Sequence, residues 1–116
     1  MDPTTASAKL DRIMGVDWSV PADRIAEVLP LARVAAMGGK KRDLMRLAGV
    51  LMFAAAHTDD EAAEIHFGAK SVAWLDRLAD DGCETSGSII LEIGGLVSGE
   101  IISAASRVSR QIAKDI

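Results

Sequence analysis

The densest group of side chains that could do chemistry lies between residues 57 and 66. It contains two histidines and four carboxylates: His57, Asp59, Asp60, Glu61, Glu64 and His66. A carboxylate-bridged metal site in a helical bundle needs Glu and His three residues apart, with further acids on other helices. His66 has alanine three residues before it and three residues after it, so no such pair forms. We therefore expect no bound metal, and we assign the acids to the start of a helix, where they complement the helix dipole.

His66 is followed by Phe67, Gly68, Ala69 and Lys70. An acidic helical protein of this size with such a histidine is similar to the histidine phosphotransfer domains. These carry the phosphorylated His on an exposed bundle helix, with Lys and then Gly three and four residues later. Here the lysine comes one place late and the glycine two places early, and the resemblance covers only these few residues. We expect His66 to be dispensable, and phosphotransfer through it is the alternative function.

Nucleophilic and cofactor chemistry have little support in the chain. Cys83, the only cysteine, follows two aspartates, whose negative charge raises the pKa of a thiol and suppresses the thiolate. The chain has no Tyr and two His, so general acids and bases are few. We therefore predict that the protein is not an enzyme and binds no cofactor.

Four cations follow the pair Gly38-Gly39 at the start of a predicted helix: Lys40, Lys41, Arg42 and Arg46. A phosphate-binding loop would need Gly at position 34 and Ser or Thr at position 41, which hold Val and Lys. The helix dipole disfavours cations at this end, so an acidic partner, a phosphate, or Asp43 and acids of another helix must compensate them. We favour a solvated face. Association with nucleic acid is a further alternative, which the net charge of −4 disfavours.

A strip of small residues near the end of the chain is the strongest candidate contact. Its members are spaced by four and then three residues: Gly95, Gly99, Ser103 and Ser106. Glycine costs roughly 1 kcal/mol in a helix interior relative to alanine, so this strip, called the ridge below, needs a reason. A smooth strip lets two helices approach closely, within one chain or between two copies, and we predict a homodimer. Trp18, in a loop, is either a second contact or part of the core.

Hydrophobic periodicity predicts an all-α fold, a small bundle of four to five helices. The predicted segments are residues 5–14, 21–37, 40–56, 58–80 and 86–116. Pro30 predicts a kink or break in the second segment, and Gly94-Gly95 a kink in the long last one. The third is apolar all round from Leu47, so we expect it to be central. Thr58 and Glu61 fit a capping box at the start of the fourth.

The composition supports a single α-helical domain over residues 1–116. Hydrophobic residues make up 49% and aromatic residues 3%, so aliphatic side chains and alanine must build the core. The polar N-terminus lacks the layout of a signal peptide, and the longest apolar run is shorter than the roughly 20 residues that span a membrane. One cysteine suits a reducing cytoplasm. We predict a non-enzymatic cytoplasmic interaction module that acts as an adaptor, inhibitor or regulator of another protein.

Overall fold

The computed structural model describes residues 1–15 and 18–80, and the predicted all-α fold is confirmed. This part of the chain forms four α-helices and a short 3₁₀ helix, Ala22–Arg24. The α-helices are α1 (Pro3–Met14), α2 (Ile25–Ala36), α3 (Lys41–His57) and α4 (Glu61–Asp80). None of these helices has the length and apolar character needed to cross a membrane. The fifth predicted segment, residues 86–116, and its kink at Gly94-Gly95 lie outside the described residues.

Side-chain capping and a glycine fix the two ends of α1. Asp2, rather than a following threonine, is the N-cap: its carboxylate accepts hydrogen bonds from the Thr5 amide at 2.8 Å and the Thr5 hydroxyl at 3.0 Å. Pro3 takes the first helical position, where an amide hydrogen is not needed. Gly15 ends the helix with a φ of 68°, in the left-handed region that favours glycine.

The second helix begins later than the pattern predicted. A 3₁₀ turn precedes Ile25, and α2 then continues through Pro30 without a break. Pro30 is exposed, so its ring lies on the solvent side of the helix. Because proline has no amide hydrogen, the carbonyl of Ala26 lacks the donor that residue 30 supplies in a regular α-helix. Of the kink or break predicted at Pro30, the break is not observed, because α2 is continuous from Ile25 to Ala36.

The third helix lies between its neighbours, as predicted. It packs against both α2 and α4, while α1 packs against α2. From Leu47 onward its buried residues are Leu47, Ala48, Val50, Leu51, Ala54 and Ala55. Gly49 and Ala56 are exposed. Within the described residues α3 is central but is not enclosed all round.

The start of α4 is capped by Asp60. The Thr58 hydroxyl accepts a hydrogen bond from the Asp60 amide at 3.3 Å, and the Asp60 carboxylate accepts one from the Ala62 amide at 3.1 Å. In the predicted capping box Thr58 would accept from the Glu61 amide instead. That detail is wrong, because Asp60 is nearer to the first turn and its carboxylate reaches the free amide.

The contact between α3 and α4 contains a buried polar link. Ser71 donates a hydrogen bond from its hydroxyl to the Ala48 carbonyl at 2.6 Å, and both residues are fully buried. Alanine at positions 69 and 73 adds small buried side chains to α4. Trp74 is 3% exposed and lies in the core. The buried face of α4 thus combines one large ring, the leucines at positions 75 and 78, and several small residues.

Candidate functional site

The predicted basic residues fold into an ion-pair network between α1 and α3. Its members are Ser7, Asp11, Arg42, Asp43 and Arg46, here called the arginine cluster. Residues three or four apart share a helix face, so α1 presents its serine and aspartate together. In the same way α3 presents its two arginines on one face, with its aspartate three residues before the second arginine. The two faces then meet as one polar contact in a largely apolar bundle.

Arg46 is the centre of the arginine cluster, and its side chain is fully buried. One terminal nitrogen, Nη1, donates to Asp11 Oδ1 at 2.7 Å, and Nη2 donates to Ser7 Oγ at 2.8 Å and Asp43 Oδ1 at 3.0 Å. The Ser7 hydroxyl donates in turn to Asp43 Oδ1 at 2.8 Å. A buried guanidinium is costly unless opposite charges and hydrogen bonds compensate it. Two carboxylates and one hydroxyl supply that compensation here.

Asp11 connects the buried part of the cluster to solvent. Its side chain is 43% exposed, and its Oδ1 also accepts from Arg42 at 2.9 Å. The hydrogen bond from Arg46, aided by the positive charge of both arginines, lowers the pKa of Asp11 below its ordinary 3.8. A lowered pKa in the folded state stabilises the fold above that ordinary value, and the contribution is lost as the pH falls through the lowered pKa.

Trp18 covers the outer side of the two arginines. The guanidinium carbons of Arg42 and Arg46 lie 5.9 Å and 5.7 Å from its ring centroid, within the range of cation–π attraction. The ring is half-buried against the core. Trp18 adopts a φ of 53°, a left-handed conformation that is unusual for a large side chain. The structure therefore gives this predicted contact residue an internal role beside the arginine cluster.

A cleft of about 390 Å³ opens beside the arginine cluster. It is lined by Pro3, Thr4, Ser7, Ala8, Asp11, Gly38, Lys40 and Asp43. Gly38 brings the turn between α2 and α3 close to α1, because a Cβ at this position would lie 3.1 Å from the Pro3 Cβ. The two carboxylates that line the cleft are already paired with arginines. The Ser7 hydroxyl lies against the Asp43 carboxylate in this cleft, but both side chains are already hydrogen-bonded to the buried Arg46.

The four predicted cations have two different fates. Arg46 is buried and Arg42 is paired with Asp11, whereas Lys40 and Lys41 are exposed. Compensation by Asp43 and an acid of another helix, one of the options that the sequence left open, is what the structure shows. The solvated-face interpretation describes the two lysines and fails for Arg46, whose partner 35 residues earlier is brought to it by the fold.

A second concave surface lies where α2 begins and α3 ends. It is lined by Ile25, Ala26, Leu29, Ala54, His57, Thr58 and Phe67, has a volume of about 280 Å³, and is called the apolar groove below. Ile25, Leu29 and Phe67 are half-buried, so each leaves part of its apolar surface in solvent. Sequence reasoning missed this groove because three helices build it. The only signal was that Phe67 lies outside the main apolar stripe of its helix.

His57 has a fixed orientation at the edge of the apolar groove. Its ring stacks on Phe53 with 3.9 Å between centroids, and its Nδ1 lies 2.9 Å from the Phe53 carbonyl oxygen. Among the described residues that line the groove, His57 is the only one with a titratable side chain. The histidine closes one side of the groove, and the remaining walls are almost entirely apolar.

The other predicted sites are separate from both surfaces. His66 is exposed on α4, whereas Lys70, its neighbour in the phosphotransfer pattern, is buried. In the described part of the chain, no three His, Cys, Asp or Glu side chains gather as metal ligands. Cys83 and the ridge, which comprises Gly95, Gly99, Ser103 and Ser106, lie outside the described residues.

Comparison of the chain with protein-family models, with curated proteins and with solved structures finds no match in any of the three.

Proposed function

We propose that the protein is a non-enzymatic helical interaction module that binds another protein through the apolar groove. The open, largely apolar surface between α2, α3 and α4 supports this proposal. A partner side chain that enters the groove would cover the half-exposed Ile25, Leu29 and Phe67 and gain roughly 25 cal/mol for each Å² of apolar surface buried. The helices already hold these walls in place, so binding needs little ordering of the protein.

The chemistry of the groove favours binding over catalysis. A hydrolytic or transfer reaction needs a nucleophile and a base within hydrogen-bond distance of each other. His57 lies in the groove, but its Nδ1 faces the carbonyl of Phe53, and the Thr58 hydroxyl accepts a hydrogen bond from the Asp60 amide. The groove therefore supplies shape and apolar contact, as an adaptor, inhibitor or regulator requires.

Two exposed alanines provide a matched test of this function. Ala26 lines the apolar groove and Ala8 lines the cleft beside the arginine cluster, and both lie on helices. Glutamine is a good helix former, so Ala26→Gln and Ala8→Gln should both fold while each fills one concave surface. We expect Ala26→Gln to lower the affinity for the natural partner by about tenfold or more, and Ala8→Gln to leave it unchanged.

The measurement is capture from an extract of the native host, with the bound proteins quantified by mass spectrometry. Circular dichroism on both variants confirms that each is folded. A partner that is retained by Ala26→Gln and lost by Ala8→Gln would move the binding surface to the cleft and refute the groove.

Phosphotransfer through His66 is the rival function, and the exposure of this histidine on α4 supports it. The burial of Lys70 weakens it, because an exposed lysine near the histidine belongs to the pattern that the resemblance implies. The deciding assay is transfer of labelled phosphate from a histidine kinase or a receiver domain. An acid-labile label on the wild type that is lost in His66→Gln would replace the interaction module as the proposed function.

A further inference from the structure

Four carboxylates lie within six residues after the groove residue Thr58, and none of them forms an ion pair with the part of the chain that the structure describes. They are Asp59, Asp60, Glu61 and Glu64, all exposed. No salt bridge joins any of them to another described residue, whereas Asp11 and Asp43 are both paired with arginines. Glu64 lies three residues before Phe67 on α4, and this spacing puts it on the helix face that carries the groove's phenyl ring. Negative charge therefore lies next to the groove residues Thr58 and Phe67 along the chain.

The backbone of a groove residue adds a hydrogen-bond acceptor to this region. Ala26 lines the groove, and its carbonyl lacks the α-helical donor because Pro30 has no amide hydrogen. A carbonyl in this state accepts a hydrogen bond from water or from a bound group. The Ala26 carbonyl and the four carboxylates after Thr58 are acceptors and negative charges, which suit a ligand that brings donors and positive charge.

We propose that the partner of the apolar groove is a basic amphipathic segment of another protein, an inference that rests on the proposed function. Its apolar side chains fill the groove, and its Lys or Arg side chains meet the acids that follow Thr58. An acidic segment of the same shape would bring like charges together, and their repulsion would weaken binding. Charge therefore determines which partner binds.

Two synthetic peptides of about 18 residues isolate the effect of charge. Both carry Leu at helical spacing. All remaining positions are Lys in one peptide and Glu in the other. Calorimetric titration of the full chain should give the Lys peptide an affinity about tenfold or more above that of the Glu peptide. The difference should shrink as the ionic strength approaches about 1 M, because salt screens exposed charges.

Charge reversal on α4 locates the contact. Glu64→Lys should weaken binding of the Lys peptide by about three- to tenfold. Asp76→Lys is the matched control, because Asp76 is also exposed on α4 but lies roughly 18 Å further along the helix. Equal losses for the two variants would show a general charge effect and overturn the assignment to the groove.

The results distinguish a failure of the basic partner from a failure of the groove as a binding site. If the Glu peptide binds as tightly as the Lys peptide and Ala26→Gln weakens both, the basic partner is refuted while the groove function stands. If Ala26→Gln affects neither peptide, the groove function fails as well.

Residues 101–116 carry Arg107, Arg110 and Lys114 among apolar residues. A peptide of that sequence is titrated in the same way. If it binds more tightly than the Lys peptide and Ala26→Gln weakens this binding, the groove binds a segment of this chain, and the proposal of an external partner is overturned.

Discussion

At the scale of single residues, Arg46 makes the contact between α1 and α3 depend on charge. The sequence predicted that the cations from position 40 to 46 need compensation, since they lie at a helix start. It left the source open, because Asp11 is 35 residues from Arg46 and only the fold brings them together. The burial of Arg46 was equally hidden, since a residue type that is almost never fully buried is assigned to the surface by default.

The arginines give a matched pair of substitutions. Arg46→Met should lower the free energy of unfolding by about 3–5 kcal/mol, because it leaves Asp43 buried without its opposite charge. Arg42→Met removes an exposed cation that shares Asp11, and should cost less than about 1 kcal/mol. Urea denaturation at neutral pH measures both. Equal losses for the two variants would show that burial does not set the value of Arg46.

At the scale of the elements, the helices were predicted better than their ends. Apolar periodicity located α1 to α4, because the apolar residues that recur at helical spacing in the sequence are the ones buried in the core. The caps differed, since Asp2 and Asp60 compete with nearby threonines for the same free amides. The 3₁₀ turn before α2 left no signal, as its three residues suit a regular helix equally well.

Pro30 gives a prediction for α2. Pro30→Ala restores the amide that Ala26 lacks, and should raise the free energy of unfolding by about 1–3 kcal/mol. Pro21→Ala is the control, because Pro21 precedes the first helical turn and no hydrogen bond is regained there. Thermal and urea denaturation should agree on the difference. A less stable Pro30→Ala protein would mean that α2 needs the proline, for example to hold the groove open.

At the scale of the whole molecule, the sequence identified the class of fold but neither the cleft beside the arginine cluster nor the apolar groove. The cleft needs α1 beside the turn that precedes α3, and the groove needs three helices in register. Such surfaces depend on how elements pack, which periodicity within one element does not reveal. The ridge differs from these surfaces, because its spacing can be read directly from the sequence while its residues lie outside the described part of the chain.

Self-association through the ridge stays a prediction. Gly99→Leu should push two close helices apart at a cost of about 1–3 kcal/mol, which lowers a dimer affinity by one to two orders of magnitude. Gly49→Leu is the control, because Gly49 is exposed on α3 and a Cβ there would meet no atom within 4 Å. Light scattering over a concentration series gives the mass of each variant.

Two results would contradict the dimer. A wild type that stays monomeric at high micromolar concentration removes it outright. A Gly99→Leu protein that loses stability without a change in mass would assign the ridge to the interior of one chain.

The position of Trp18 over the arginines has an optical consequence. The chain has two tryptophans and no tyrosine, so its near-ultraviolet fluorescence comes almost entirely from two indoles. Trp74 lies in the core, while Trp18 is half-buried beside two guanidinium groups, and indole emission responds to both polarity and nearby charge. With Trp18→Phe and Trp74→Phe to separate the two spectra, the protein reports on the α1–α3 contact and on its core at different wavelengths. The opening of one can then be timed against the melting of the other without an attached dye.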